Sequence, residues 1–180
     1  RRIIKVLDEG AAQALASSRF DYDPASNMVK VEMARIIRAD GRVEEIADRD
    51  ILDLPQPQTM IIWGPRMKVV RWGRLAPGDA IEYRLYKKGF MIAYLAGQDR
   101  EDERFIPPMR GHFYDTVVFG GGAPVVCRHY RVELPRDKPL RYKVYNGRVA
   151  SACDHTDEHL VYSFWQRDIL ADQPEPAAVA

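Results

Sequence analysis

Hydrophobic and polar residues alternate with a period of two along most of the chain, a pattern typical of half-buried β-strands. In the segment VKVEMARII, residues 29–37, the apolar residues occupy odd positions as far as Met33. From Ala34 onward they occupy even positions instead. Because a strand turns alternate side chains to opposite faces, this change of phase predicts a β-bulge or a passage from one sheet to another.

Three pairs of residues are typical of tight turns between strands: Asp40-Gly41, Pro77-Gly78 and Asn146-Gly147. The first and third pairs predict type I′ hairpins, which need a positive φ at both central positions. The second predicts a type II turn, because proline fixes φ at the first central position and glycine supplies a positive φ at the second. We therefore expect Gly41, Gly78 and Gly147 to have positive φ angles, with residues 42–46 returning as the partner strand of the first hairpin.

The same alternation predicts further strands at residues 67–75, 80–88, 112–119, 125–134, 140–146, 148–153 and 159–166. In the strand predicted at residues 80–88, Glu82 and Arg84 lie on the polar side, which we expect to face solvent. Helix signals are weak, and residues 8–18 could form a short helix or a loop that leads into a strand. Many short strands separated by turns predict an all-β fold, an antiparallel β-sandwich of two packed sheets with little helix.

Two segments depart from this pattern. Lys87–Gly111 contains a block of charges and a Pro-Pro pair, and we predict a long connection that crosses between sheets. Residues 169–180 are rich in proline and alanine, which is typical of a linker that leaves the domain.

Length and charge narrow the class of protein. The 180 residues suit one domain and are few for two. A formal net charge of +1 gives no overall field that would attract nucleic acid or an acidic membrane. No apolar run approaches the roughly 18 residues that a membrane helix needs. No signal peptide is visible, so we expect any targeting segment to lie upstream.

The two cysteines each precede a histidine by two residues, in Cys127-x-His129 and Cys153-x-His155. One hypothesis is a thiol–imidazole pair for acyl transfer, although no third orienting group is evident. Another is a zinc site that adds His159, although the spacing lacks paired Cys-x-x-Cys motifs. A disulfide between the cysteines and two free buried thiols are further alternatives. The parity of residues 125–134 places Cys127 and His129 on the more polar side of their strand.

Aromatic residues offer a separate candidate site. An exposed row of them could bind a glycan or a peptide, whereas in alternating strands they more often pack in the core or across strands. The residues concerned are Trp63, Trp72, Tyr83, Tyr86 and Trp165.

Three blocks in the chain, taken in order, resemble the DUF3857 family, a domain that typically precedes a transglutaminase-like (papain-type) domain in bacterial proteins. The first block is VKVEMARIIRADGRVEEI, the second is VVRWGRLAPGDAIEYRLY, and the third is HYRVELPRDKPLRYKVYNG, followed by a strand that ends in Trp165. The second block carries the Leu-x-Pro-Gly-Asp-x-Ile-Glu-Tyr core that is similar to the most characteristic stretch of the family. Together the blocks span nearly the whole chain.

The resemblance implies a DUF3857-like β-sandwich at residues 1–170, with residues 171–180 beginning a linker toward a downstream transglutaminase-like domain. The Cys/His/Asp triad of that partner domain has no matching positions here, and neither Cys127 nor Cys153 corresponds to it. We therefore expect no catalytic residues, cofactor or metal, and a non-catalytic accessory or interaction domain rather than an enzyme. The expected partner is the adjacent transglutaminase-like domain, in a periplasmic, cell-envelope or secreted protein. The alternative is a module that binds a glycan or a peptide, without nucleic acid and without a membrane span.

Overall fold

The computed structural model describes residues 1–57, 64–89 and 115–172. The chain divides into two compact units, residues 1–112 and residues 113–180, which are treated separately below. Within the described residues, the strands form three antiparallel sheets with one α-helix and one short 3-10 helix. The prediction of an all-β fold with little helix is confirmed, although the described residues contain three sheets rather than two.

The first unit contains two sheets. One has the strand order β1-β7-β3-β4 and the other the order β2-β6-β5. Helix α1 spans Glu9–Ala14 and the 3-10 helix spans Asp48–Asp50. The strands are β1 (Arg2–Lys5), β2 (Ser17–Tyr22), β3 (Asn27–Ile37), β4 (Val43–Glu45), β5 (Ile51–Pro55), β6 (Arg66–Arg71) and β7 (Ala80–Gly89).

A single hydrophobic core joins the two sheets of this unit. Ile36 of β3 and Ile81 of β7 pack in one cluster with Val70 of β6. Trp72 lies in the same cluster and is 2% exposed. Because residues of both sheets contribute to this cluster, the first unit is an antiparallel sandwich.

The predicted change of phase in β3 is a β-bulge. Val31 pairs with Leu85 and Met33 with Arg84, so Glu32 has no partner on β7. One extra residue in β3 therefore moves its apolar side chains from odd to even positions while β7 continues unchanged. Both parts of β3 consequently face the core, and the bulge prediction is confirmed.

The hairpin after β3 forms, but its turn is not type I′. The N–H of Gly41 donates to the carbonyl of Arg38, so Ala39 and Asp40 are the central residues. Gly41 has a φ of +88°, whereas Asp40 is not among the residues with positive φ. The N–H of Arg38 also bonds to the carbonyl of Arg42, which closes a three-residue loop. A type I turn followed by a glycine bulge has this geometry, and it needs only one positive φ.

The two other predicted turns differ in outcome. Asp79 donates its N–H to the carbonyl of Ala76, and Gly78 has a φ of +94°, as the type II turn requires. Gly147 does not have a positive φ, whereas Asn146 has a φ of +52°. The predicted Asn146-Gly147 hairpin is therefore wrong, because residues 141–149 do not form a strand.

The second unit contains one sheet with the strand order β8-β10-β9. Its strands are β8 (Val125–Pro135), β9 (Ala150–His155) and β10 (His159–Ile169). Strands predicted at residues 125–134 and 159–166 are confirmed. Of the strand predicted at residues 112–119, residues 112–114 lie outside the described range and residues 115–119 are irregular. The strand predicted at residues 140–146 is irregular too, and the strand predicted at residues 148–153 begins at Ala150. Alternation alone does not make a strand, since each strand also needs a neighbour to satisfy its backbone.

Of the two alternatives for residues 8–18, a short helix or a loop, the helix forms. The side chain of Asp8 accepts a hydrogen bond from the N–H of Ala11 at 2.7 Å and caps α1. The strand β2 then follows, so residues 8–18 supply both a helix and the start of a strand. In the part of the chain that is described, no helix is long and apolar enough to cross a membrane.

Two predicted segments fall largely outside the described residues. The long connection Lys87–Gly111 is described only in its first three residues, which extend β7. Of the predicted linker at residues 171–180, only the first two residues are described.

Candidate functional site

The two Cys-x-His pairs lie on opposite faces of the sheet in the second unit. Strand β10 lies between β8 and β9, with Arg167 opposite Cys127 and Tyr162 opposite Cys153. Directly paired residues share a face, and Arg167 and Tyr162 are an odd number of positions apart on β10. The thiols of Cys127 and Cys153 therefore point to opposite sides.

This placement excludes a disulfide within the chain. Two strand spacings separate β8 from β9 by roughly 9 Å, which exceeds the roughly 7 Å that a disulfide can bridge between Cα atoms. Both thiols are free and exposed, so the alternative of two free buried thiols is wrong as well. Each lies beside its histidine on an open strand face, as the parity of residues 125–134 predicted for Cys127 and His129.

The five potential zinc ligands do not come together. Cys127 and His129 lie on one sheet face, and Cys153 and His155 lie on the other. His159 is at the far end of β10, with its Nδ1 3.9 Å from the Glu133 carboxylate. Among residues 1–57, 64–89 and 115–172, no group of three or more His, Cys, Asp or Glu side chains could hold a metal ion.

The most elaborate polar site in the first unit surrounds Asp79, which is 3% exposed. Its Oδ2 accepts hydrogen bonds from the N–H of Ala76 at 3.0 Å and from the Arg38 guanidinium at 2.9 Å. Its Oδ1 accepts the N–H of Ala39 at 3.1 Å. One carboxylate thus joins the turn before β7 to the hairpin after β3. Arg38 also pairs with Glu44, which belongs to β4.

The same contacts control the charge of Asp79. Burial by itself raises the pKa of this carboxyl, because a charge is costly to remove from water. Hydrogen bonds from the backbone of Ala76 and Ala39 and from Arg38 outweigh that effect, so the pKa lies below its ordinary value. Asp79 is therefore a carboxylate at neutral pH, with its acceptor positions occupied by structural donors.

Glu82 is a second buried carboxylate, with a side chain that is 1% exposed. It pairs across the sheet with Arg35, whose Nε donates to Oε2 at 2.7 Å, and Arg1 donates to the other oxygen. Burial raises the pKa of Glu82, but the hydrogen bonds from Arg35 and Arg1 more than compensate and lower it overall. The alternating pattern placed Glu82 on the solvent-facing side, and that prediction is wrong.

These two sites explain the Leu-x-Pro-Gly-Asp-x-Ile-Glu-Tyr stretch, residues 75–83. Leu75, Ile81 and Tyr83 are buried in the core, and Tyr83 packs against Phe20 with ring centroids 5.0 Å apart. The Pro77-Gly78 pair makes the turn, and the two acidic residues bind backbone donors and arginines. Each named residue of the stretch therefore has a structural role in the first unit.

A third polar cluster lies at the end of the sheet formed by β2, β6 and β5. Asp53 accepts hydrogen bonds from the Tyr22 hydroxyl at 2.9 Å, from Arg66 at 3.0 Å and from Lys68 at 2.8 Å. Burial raises the pKa of Asp53, and the hydrogen bonds from Lys68, Tyr22 and Arg66 reverse the shift and lower it. Tyr22 belongs to β2, Asp53 to β5, and Arg66 and Lys68 both belong to β6, so residues from all three strands meet here and the cluster fixes the register of that sheet.

The predicted aromatic platform does not form as one surface. Trp72 is buried and donates its indole N–H to the Ser18 hydroxyl at 2.8 Å. Tyr83 is buried as well, whereas Tyr86 is 45% exposed. Trp63 lies outside the described residues. Exposed aromatic residues occur instead in the second unit, where Tyr145 is 71% exposed.

The segment between β8 and β9 lies against one face of the sheet in the second unit. The N–H of Leu140 donates to the Tyr162 hydroxyl at 3.1 Å. The ring of Tyr142 meets Phe164 edge-on, with centroids 4.7 Å apart, and its hydroxyl lies 3.2 Å from the Ser151 hydroxyl. Tyr142 nevertheless remains 52% exposed.

Tyr130 occupies the same face of the sheet. It packs against Phe164 and donates its hydroxyl to the Asp115 carboxylate at 2.6 Å. Burial and this hydrogen bond raise the pKa of Tyr130, so its hydroxyl remains protonated at neutral pH. It acts as a fixed donor rather than as a base.

Sequence reasoning missed Asp79 and Glu82 as buried charges, and it missed the exposed tyrosines of residues 140–147. A signal existed for Asp79, because an aspartate that directly follows a Pro-Gly turn can accept the free N–H groups of that turn. No local signal identifies Glu82, since its partners are 47 and 81 positions away.

The comparisons with known proteins agree with this architecture. A solved structure of a protein from Parabacteroides distasonis ATCC 8503, described as "a putative protease", superposes with a TM-score of 0.70 over 96% of this chain, at 17% sequence identity. At that identity the likeness shows the fold alone. The chain spans 32% of the length of that protein. No curated protein matches the chain.

The family comparison covers both units. The family described as "Domain of Unknown Function with solved-structure structure (DUF3857)" matches residues 1–172, a range that includes every strand described above. The chain therefore belongs to the DUF3857 family.

Proposed function

We propose that this chain is a non-catalytic accessory domain that supports interaction or positioning beside a transglutaminase-like domain, in a periplasmic, cell-envelope or secreted protein. The observation that carries the proposal is the structural role of residues 75–83. The acidic residues of this stretch, Asp79 and Glu82, are buried and hold backbone donors and arginines. Groups bound in this way stabilise the fold, and their carboxylates are occupied before any substrate arrives.

The geometry of the thiols also supports a non-catalytic role. Acyl transfer at a cysteine needs a base within hydrogen-bond reach, an orienting group and donors for the oxyanion. Cys127 and Cys153 are exposed on open strands, on opposite faces of one sheet. The only hydrogen bond from either thiol within the described residues runs from Cys153 to the carbonyl of Asp154, at 3.9 Å.

The relation to a larger enzyme is an inference from size and likeness. The solved structure from Parabacteroides distasonis is roughly three times as long as this chain, which corresponds to 32% of it. A domain that occupies one part of a longer protein has an adjacent domain to position. We infer that the chemistry of such a protein resides in a neighbouring domain.

The test compares this chain with its Cys127→Ala/Cys153→Ala double variant. Both are assayed for incorporation of a fluorescent amine into casein and for hydrolysis of a peptide library. We expect no turnover by this chain or by the double variant. Activity of this chain that disappears in the double variant would contradict the proposal.

A second candidate function is supported by the exposed tyrosines. Tyr142 and Tyr145 are 52% and 71% exposed on one segment of the second unit. Exposed aromatic rings give large contact areas with little loss of side-chain entropy, which suits recognition of a glycan or a peptide. This candidate is compatible with an accessory role, since an accessory domain can recruit a ligand.

A further inference from the structure

The segment between β8 and β9 concentrates positive charge, although the chain as a whole is nearly neutral. Residues 136–149 contain five cationic side chains and one acidic one, whereas the whole chain has a net charge of +1. This range is called the basic segment below. Its cations are Arg136, Lys138, Arg141, Lys143 and Arg148.

These cations differ from those of the first unit, where most arginines are neutralised. Arg35, Arg38 and Arg66 are examples, and each forms an ion pair with a nearby carboxylate. Within the described part of the chain, none of the five cations of the basic segment forms an ion pair, and Lys143 lies 4.8 Å from the centre of the Tyr145 ring. Their positive charge is thus available to a ligand.

The basic segment is held in place rather than extended into solvent. The Leu140 N–H bonds to Tyr162, and the Tyr142 ring packs edge-on against Phe164. The hydroxyl of Tyr142 lies beside that of Ser151 in β9. Arg148 lies two residues before β9, and Arg141 is adjacent to Tyr142, whose hydroxyl lies beside Ser151 at the start of that strand.

Strand β9 is an edge strand. It pairs with β10 on one side, and within the described residues no strand pairs with its other side. All six of its residues are exposed. Such an edge presents a row of N–H and C=O groups that can bind an extended peptide as an added strand.

We propose that β9 and the basic segment together form a binding site for an acidic peptide segment in extended conformation. The free edge of β9 supplies main-chain hydrogen bonds, and Arg141 and Arg148 pair with carboxylates of the peptide. Tyr142 and Tyr145 add contact area beside them. The inference rests on the proposed role of the chain as an interaction domain.

The backbone edge is the reason for choosing a peptide over other anionic ligands. An acidic polysaccharide and single-stranded DNA would both be attracted to cations and aromatic rings. Neither has a regular row of amide donors and acceptors that matches a strand edge. The combination of edge and charge therefore favours a peptide.

The test uses a fluorescein-labelled decapeptide of alternating glutamate and threonine, with binding followed by fluorescence anisotropy. Control peptides replace glutamate by lysine, or carry a methyl group on every backbone nitrogen. We expect the acidic peptide to bind saturably. Either control peptide should bind at least about tenfold more weakly than the acidic peptide. Weakening on raising salt from low to physiological ionic strength is also expected.

Matched protein variants test whether the peptide binds at the basic segment. Arg141→Glu/Arg148→Glu should weaken binding by about tenfold or more, because two attractive charges become repulsive. Arg84→Glu/Lys88→Glu carries the same change of charge on exposed residues of β7 and should leave affinity within about twofold. Circular dichroism and thermal unfolding of each variant confirm that it remains folded.

A fluorescent label on Cys153 of β9 in a Cys127→Ser background should change its emission when the peptide binds. The same label on Cys127 of β8 in a Cys153→Ser background should not.

No binding of the acidic peptide at about 1 mM, or equal effects of the two charge-reversal pairs, would overturn the proposal. Tighter binding of polygalacturonate or oligothymidylate than of the peptide would overturn it as well. If the chain shows no turnover in the amine-incorporation and peptide-hydrolysis assays and also fails to bind the peptide, this binding site is disproved and the proposed accessory function is left intact.

Discussion

Asp79 shows how one side chain can connect two elements that are distant in sequence. It follows the Pro77-Gly78 turn and accepts hydrogen bonds from Ala76 and Ala39 as well as from Arg38. An alternating pattern predicts that polar residues face solvent, because the prediction uses hydrophobicity alone and takes no account of hydrogen-bond partners. A buried carboxylate is stable here because its donors are fixed by the turn and the hairpin.

Replacing Asp79 by asparagine should destabilise the protein by about 2 kcal/mol at neutral pH. The amide loses the negative charge that Arg38 pairs with, and its NH₂ group would face donors that the carboxylate accepts. Urea unfolding measures the change. Asp40→Asn is the control, since among the described residues the side chain of Asp40 accepts hydrogen bonds from Arg42 alone, in an exposed turn, and its unfolding midpoint should change little. Equal effects of the two substitutions would contradict the role assigned to Asp79.

The lowered pKa values of Asp79 and Glu82 predict a loss of stability in acid. Both groups have a lower pKa in the folded than in the unfolded chain, so the unfolded state binds more protons as the pH falls. The stabilisation is complete above the ordinary values of 3.8 and 4.5 and disappears as the pH falls through the lowered folded values. Urea unfolding between pH 7 and pH 2 should show this decline, with a shallower one for Glu82→Gln. An unchanged slope in that variant would contradict the assignment.

Two glycines should respond differently to the same substitution. Gly78 has a φ of +94°, and a Cβ there would lie 3.0 Å from the Cβ of Ala39, so Gly78→Val should cost about 1–3 kcal/mol. Gly147 lies outside the left-handed region, and the nearest atom to its Cβ position is the carbonyl oxygen of Tyr145 at 3.8 Å. Gly147→Val should therefore unfold at nearly the wild-type denaturant concentration. Tolerance of valine at Gly78 would mean that its turn is wrongly described.

Among the strands, the bulge at Glu32 allows β3, in which the parity of the core residues changes, to pair with β7, in which it does not. Strand β7 keeps one parity for its core residues Ile81 and Tyr83, whereas β3 changes parity between Val31 and Ala34. A one-residue slip in a strand exchanges its two faces, and the unpaired Glu32 absorbs such a slip. The alternation along the chain therefore predicted the irregularity as well as the strand.

Deleting Glu32 should destabilise the protein by more than about 3 kcal/mol or prevent folding. Without the extra residue, either Val29 and Val31 or Ala34 and Ile36 would turn away from the core. Glu32→Ala keeps the chain length and the bulge, so it is the matched control and should be nearly neutral. Denaturant unfolding and the near-ultraviolet circular dichroism of Trp72 report the outcome. A stable deletion variant with native tertiary signals would contradict the role of the bulge.

For the chain as a whole, the pairing of β8, β9 and β10 determines whether the two cysteines can form a disulfide. Cys127 and Cys153 are separated by β10 and face opposite sides of the sheet. Sequence spacing allowed a disulfide between them, since the intervening loop is long enough to close. The order of strands in the sheet excludes it.

Oxidation of the protein should therefore produce disulfides between molecules and none within a molecule. Both thiols are exposed, so both should react with an alkylating reagent in the native protein. Mass spectrometry under non-reducing conditions should show two adducts per chain, and mild oxidation should yield dimers that are lost in Cys127→Ser/Cys153→Ser. A monomer with one internal disulfide would contradict the strand order described here.

Local sequence patterns predicted the β character of the chain, an irregularity in the middle of β3 and the type II turn at Pro77-Gly78. These features depend on side-chain alternation and on the φ preferences of proline and glycine, which act over a few residues. Through its three motif blocks, the sequence also indicated the DUF3857 family.

The folded structure was needed to establish the number of sheets, the burial of Glu82 and the placement of the cysteines. The partners of Glu82 lie 47 and 81 positions away, and the faces of Cys127 and Cys153 depend on which strand lies between theirs. It also showed that Gly147 does not have a positive φ and that residues 140–146 lie against a sheet as an irregular segment. Strand pairing and ion pairs between distant residues are properties of the folded chain, because local conformational preferences carry no record of which distant segment will be the neighbour.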